Sequence, residues 1–345
     1  MGEFLESEKL RQTRLKAVSP YFSNAARVDG IYKGKPRPFC MPLEQAEENL
    51  FPEIRQSAPA YFASQSIKWH DGQHGKPSNH LCDSQVCCVN FLFPFADKPQ
   101  ALVRVLRSVF PAISEMLPIE NQQYVTFEWI GQENYLCEKI SRNGKRTRGA
   151  NFTSADVAVM FKRTDGKRQI VLIEWKYTES YGRTSFTIAK SGTDRTKIYE
   201  PLFSRDDCPI NKDLLPDFDV LFYEPFYQLM RQQLLAHEME RAKEMGADTV
   251  SVLHIAPAHN LDFRKVTSPQ LKALGATPME VWKKLVESDG RFISVSTEQL
   301  FGSLSADHLP EMRDWLDYIG ARYAWIHDRR ASEHAHSSNH FETHL

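Results

Sequence analysis

The sequence has little of what marks a secreted, membrane-bound or repetitive protein. Six cysteines, Cys40, Cys82, Cys87, Cys88, Cys137 and Cys208, are scattered through 345 residues. None form a Cys-x-x-Cys pair. That excludes a disulfide scaffold and a standard zinc finger, and it predicts a reducing compartment. His70, His74 and His80 lie near Cys82, but at no zinc-finger spacing, and read as ordinary loop histidines. No apolar run approaches the roughly 20 residues a membrane helix needs. The opening stretch, MGEFLESEKLRQTRLK, lacks the apolar region of a signal peptide. Charge of one sign is also missing: the formal net charge is −1. A nucleic-acid surface would therefore be a local patch. There is no internal repeat. These absences predict a soluble, cytoplasmic protein with no membrane partner.

What is present suffices for a sizeable core. Hydrophobic residues make up 41% of the chain, and the length suits one α/β core with elaborations. Residues 1–98 read as an N-terminal arm packed on the core. Residues 99–256 hold the core, residues 257–328 a C-terminal helical elaboration of the same domain, and residues 329–345 a His- and Ser-rich disordered tail. Helices are expected at 3–16, 43–50 and from Asp83 or Ser84 to Phe93. Pro99 to Met116 has Leu102, Val105, Leu106, Val109 and Ile113 at helical spacing. Residues 124–130 alternate as a strand, with Phe127 and Trp129 on one face and Glu128 on the other. A long turn-rich segment covers 177–216, a helix 218–245 and a strand 249–255. Further elements follow as a helix at 278–288, a strand at 292–295 and a helix at 310–326.

The organising stretch is 154–178, SADVAVMFKRTDGKRQIVLIEWKYT. Ala155 to Phe161 reads as one strand, Thr164-Asp165-Gly166-Lys167 as a turn and Ile170 to Lys176 as a second strand. Residues two apart on a strand share a face, so Glu174 and Lys176 are neighbours. Antiparallel pairing brings Asp156, near the start of the first strand, to Glu174, near the end of the second. Two carboxylates and an ammonium converge at one buried end. A cation would relieve that cost, and two carboxylates suit Mg²⁺.

An Asp, a hairpin and then Glu-x-Lys resembles the active-site signature of the PD-(D/E)XK nucleases, the restriction-endonuclease-like superfamily. The matching residues are Asp156, Glu174 and Lys176; Ala155 stands where the pattern has Pro. The order helix, strand, strand, strand, helix, strand agrees with that fold. The resemblance covers about Glu115 to His254. It implies an α/β fold with a central mixed β-sheet flanked by helices. It also implies Mg²⁺, with Mn²⁺ an expected substitute, held by Asp156, Glu174 and the Trp175 carbonyl. Lys176 would stand at the attacking water, its own pKa falling beside the cation.

Family members often carry a further acid from the first helix or strand, for which Glu115 and Glu128 are candidates and Glu128 preferred. Gln228, Arg231 and Gln232 share a helix face and are expected near the site, with Gln228 counted among the catalytic group. The basic residues Lys139, Arg142, Lys145, Arg146 and Arg148, with Arg183 and Lys190 after the hairpin, are expected to contact DNA phosphates. The implied activity is Mg²⁺-dependent endonucleolytic hydrolysis of DNA, in a restriction or defence setting. The rival readings are a catalytically silent nucleic-acid-binding protein of the same fold, an RNA nuclease and a small-phosphoester hydrolase. Oligomeric state is left open, a homodimer included.

Overall fold

The computed structural model describes residues 2–138, 146–149, 152–286 and 290–328. The strands, in chain order, are β1 (Gly30–Tyr32), β2 (Lys35–Arg37), β3 (Ile113–Leu117), β4 (Thr126–Trp129), β5 (Ala155–Arg163), β6 (Arg168–Trp175), β7 (Thr249–Ala256) and β8 (Phe292–Ser296). The α-helices are α1 (Glu3–Val18), α2 (Ser57–Ser64), α3 (Ser84–Leu92), α4 (Pro99–Leu106), α5 (Thr196–Phe203), α6 (Phe226–Arg241), α7 (Pro278–Leu285), α8 (Thr297–Phe301) and α9 (Arg313–Arg322). β1 and β2 form a small ribbon, and the other six strands form one sheet.

The sheet is mixed. β5 and β6 make the expected antiparallel hairpin, closed at Gly166, whose φ of 84° suits a residue without Cβ. β6, β7 and β8 run parallel, joined by helical crossovers. On the other edge β3 and β4 divide the length of β5: β3 pairs with Met160 to Arg163, β4 with Ala155 to Ala158.

Alternation along the central strands feeds two cores. Val157, Val159, Phe161, Ile173 and Trp175 face α3, α4 and α9. Ala158, Met160, Ile170, Leu172 and Val252 face α6 and α7. Helices therefore cover both faces, as a sheet with buried parallel strands requires.

Several sequence expectations change. The helix expected over 99–116 stops at Leu106, and Ile113–Leu117 is a strand. Pro111 has no N–H, and its ring clashes with the preceding turn, which opposes carrying the helix through it. The helix expected over 218–245 begins only after Pro225, behind a short 3₁₀ turn at Phe218–Leu221. The segment 177–216 contains α5. The strand expected at 292–295 is β8, which joins the main sheet beside β7. Phe127 and Trp129 do not share a face: Phe127 packs in the first core and Trp129 in the second. Glu128 between them has φ +49°, a left-handed kink that breaks the strand's alternation.

Candidate active site

The hairpin register sets Val157 opposite Ile173. Carried one residue further, it sets Asp156 opposite Glu174, on the face covered by α6. The Trp175 N–H donates to Asp156 Oδ2 at 2.7 Å, tying the two strand ends together. Glu174 is buried, and Lys176 Nζ is bonded to its Oε1. From α6, Gln232 Nε2 donates to Glu174 Oε2 at 2.8 Å and to the Ser154 carbonyl at 2.5 Å. The expected convergence of Asp156, Glu174 and Lys176 is present.

Glu128 joins them from β4. It is buried, accepting from Gln85 Nε2 at 2.8 Å and Ser154 Oγ at 2.7 Å, with His70 Nε2 3.5 Å away. Burial, and behind it the charge of Asp156, holds Glu128 above the usual carboxylate range against the pull of His70. The other candidate acid, Glu115, is exposed on β3 beside Lys162 and is not on a helix.

The electrostatics are those of a cluster short of positive charge. Burial and then the charge of Asp156 push Glu174 well up, and Lys176 offsets this only in part. Burial works to lower Lys176, but the charges facing it, Glu174 first, outweigh that and raise it. Both groups hold protons more tightly than in water, Glu174 through burial and then the charge of Asp156, and Lys176 through the negative charges facing it. The sequence reading expected Lys176 to fall beside a bound cation; the negative charges facing it in the structure raise it. Among the described residues no three His, Cys, Asp or Glu side chains form a metal-holding group. Of the oxygen donors the resemblance implies, the structure brings together the carboxylates of Asp156 and Glu174, and the Trp175 N–H bonds to Asp156. This all-oxygen set suits Mg²⁺, which keeps water or phosphate oxygens for its other positions. Each Glu174 oxygen already takes one protein donor, and a carboxylate has about four lone-pair sites, so acceptor capacity remains.

The helix residues divide. Gln232 reaches the site and Gln228 does not: no described hydrogen bond joins the Gln228 side chain to Asp156, Glu174 or Lys176. Arg231 lies over the Tyr227 ring at 4.5 Å, and its Nη1 is 3.3 Å from Thr153 Oγ1. It makes no ion pair among the described residues, and its buried Nε has no partner.

The basic residues divide as well. Lys139, Arg142 and Lys145 lie outside the described residues. Arg183 and Lys190 are exposed on the segment after β6. Arg146 is turned inward, donating to the Gln132 carbonyl at 2.9 Å. Arg148 is committed to structure, with Nη1 2.9 Å from Glu120 Oε1 and Nη2 2.6 Å from Thr126 Oγ1. Sequence reasoning missed His70, Gln85 and Ser154 as partners of Glu128. Only the fold brings the first two near it, and no local pattern announces them.

A mixed sheet flanked by helices, with this hairpin at its centre, is a restriction-endonuclease-like α/β core. The chain belongs to the family described as restriction endonuclease associating with ARP, a family of nuclease type, whose model matches residues 7–324. No curated protein and no solved structure matches the chain.

Proposed function

We propose that this protein is a PD-(D/E)XK-type nuclease that hydrolyses DNA phosphodiester bonds with Mg²⁺. Asp156, Glu174 and the Trp175 carbonyl would be the metal ligands, and Lys176 the residue at the attacking water. The observation that carries the reading is the meeting of Asp156 and Glu174 on facing strand ends with Lys176 bonded to Glu174. Bound there, Mg²⁺ would supply Lewis-acid neutralisation of the phosphate and a more acidic water.

The chain's own residues do the positioning. Lys176, protonated and anchored on Glu174, offers its remaining N–H bonds to orient the water or a phosphate oxygen. Gln232 fixes the Glu174 carboxylate. Arg231, with no ion pair among the described residues, offers its guanidinium to a non-bridging phosphate oxygen. Glu128 stands behind Asp156 as a further acid. Arg183 and Lys190, exposed beyond the hairpin, suit the strand's flanking phosphates.

The test is cleavage of linear, circular and single-stranded DNA, with RNA alongside, under Mg²⁺ or Mn²⁺ titration. Wild type, Asp156→Ala and Lys176→Ala are run together. Metal-dependent cutting by wild type alone supports the reading. Binding without cutting under every condition favours the silent nucleic-acid-binding alternative. Equal cutting by all three chains removes the assigned site.

A further inference from the structure

A cavity of about 270 Å³ lies at the C-terminal ends of β7 and β8, walled by His254, Phe263, Arg264, Lys283, Ser294 and Gln299. Its back wall continues the row of polar side chains already described. Glu174 pairs with His254 across β6 and β7, and His254 with Ser294 across β7 and β8. Paired strands lie about 4.8 Å apart, so Ser294 stands roughly 10 Å from Glu174, some three steps of a duplex strand. An aromatic path runs the same way. The His254 ring stacks on Phe263 at 5.2 Å and 12°, and Phe263 packs on Tyr181 at 5.6 Å. Tyr181 in turn lies in the field of Lys176.

The cavity's chemistry is mixed in a particular way. His254 is 2% exposed; its Nδ1 is 3.2 Å from Ser294 Oγ, and its buried Nε2 has no partner. A buried polar atom left unpaired is costly and calls for an occupant or a role. Arg264 and Lys283 carry charge on the wall and make no ion pair among the described residues. Among the described residues, the one carboxylate of the wall is Glu280, which accepts from the Ala276 N–H at 2.9 Å. Phe263, Met279 and Val295 supply apolar surface. Phosphate alone would leave the apolar surface and the imidazole unused, and a lipid chain would leave the two cations unused. The volume is close to the lower end of small-ligand sites, roughly 300 Å³.

We propose that this cavity is a nucleotide subsite, with the base against the His254–Ser294 wall and the phosphate between Arg264 and Lys283. It rests on the nuclease reading only for its biological purpose. The nucleotide is either part of the strand being cut or free in solution.

The test is calorimetric titration of the full chain, without divalent ion, with each of the four deoxynucleoside 5′-monophosphates and with inorganic phosphate. Millimolar or tighter binding of at least one nucleotide is expected, with phosphate weaker by about tenfold or more. Arg264→Glu combined with Lys283→Glu should weaken nucleotide binding by about tenfold or more, and Ser294→Leu, which fills the cavity, should do the same. Thermal melts check that these variants fold. Asp156→Ala should bind nucleotide as wild type does, so loss of the nuclease reading would leave this site standing. A short single-stranded oligonucleotide that displaces the mononucleotide identifies a strand nucleotide; failure to displace it identifies a free one. No nucleotide binding at millimolar concentration, or binding unchanged in folded Arg264→Glu/Lys283→Glu protein, overturns the proposal.

Discussion

Gln232 and Glu174, 58 residues apart in sequence, meet in the core: the Gln232 amide donates to Glu174 Oε2 at 2.8 Å, opposite the oxygen taken by Lys176. Gln232 also donates to the Ser154 carbonyl at 2.5 Å, so one side chain locks the starts and ends of the paired strands. Gln232→Leu removes both donors and leaves buried acceptors unpaired. Unfolding free energy should fall by about 1–3 kcal/mol, read from urea denaturation. Gln232→Glu should fall further, since it adds a carboxylate to a cluster already short of positive charge. A Gln232→Leu protein as stable as wild type would mean the contact contributes nothing.

The raised Glu174 and Lys176 give a pH prediction of definite sign. Glu174 titrates above its ordinary value of 4.5 in the folded protein. The folded state therefore binds more protons than the unfolded one above pH 4.5, and Glu174 erodes stability as pH rises through that interval. The contribution of Lys176, raised above 10.5, is intact below that pH and is lost only in strong alkali. If Mg²⁺ binds as proposed, it would reverse the shift on Glu174 and expel the extra proton. Calorimetric titration of Mg²⁺ in buffers of differing ionisation enthalpy should show proton release in wild type, growing as pH falls from neutral. Glu174→Gln should release none. Equal release from both would place the coupled proton elsewhere.

Local chemistry made the centre of this site legible from sequence. The Asp-Gly turn and two apolar runs fix a hairpin, and hairpin register alone sets Asp156 opposite Glu174. Long-range packing hid the rest. Whether Gln228 or Gln232 reaches Glu174 depends on how α6 is rotated against the sheet, and both lie on the face that the spacing defines. Of the two candidate acids, Glu128 is the one buried within the field of Asp156, and Glu115 is exposed beside Lys162. The left-handed backbone of Glu128, however, is imposed by surroundings that strand alternation does not encode. His70 and Gln85 come from the N-terminal region, which carries no pattern pointing toward β4.

Arg231 lacks an ion-pair partner among the described residues and lies near the carboxylates, where a phosphate would need a counter-charge. Arg231→Ala should weaken DNA binding at low salt and reduce the slope of log affinity against log salt by about one. Arg231→Lys should restore much of the slope but less of the cleavage rate, because an ammonium lacks the planar fork. An unchanged slope in Arg231→Ala would leave the residue a structural partner of Tyr227 and Thr153.

Arg148 makes the opposite case. It stands in a basic stretch expected to contact DNA, yet its side chain is only 11% exposed and its guanidinium is consumed within the fold. Nη1 bridges both Glu120 oxygens at 2.9 and 3.0 Å, while Nη2 serves Thr126 and the Tyr61 hydroxyl. The same side chain donates to the Phe127 carbonyl, beside the kink at Glu128. Removing it strands Glu120 without its cation and frees the backbone that aims Glu128. Arg148→Ala should therefore cost about 2–4 kcal/mol of stability, read by denaturant unfolding. The salt slope of DNA binding should stay at the wild-type value, because no phosphate contact is lost. Arg183→Ala should do the reverse, lowering the slope by about one with no stability cost, since that side chain is exposed and makes no ion pair among the described residues. If Arg148→Ala lowered the slope while stability held, the guanidinium would leave Glu120 for DNA on binding, and Glu120 would be the residue to test next.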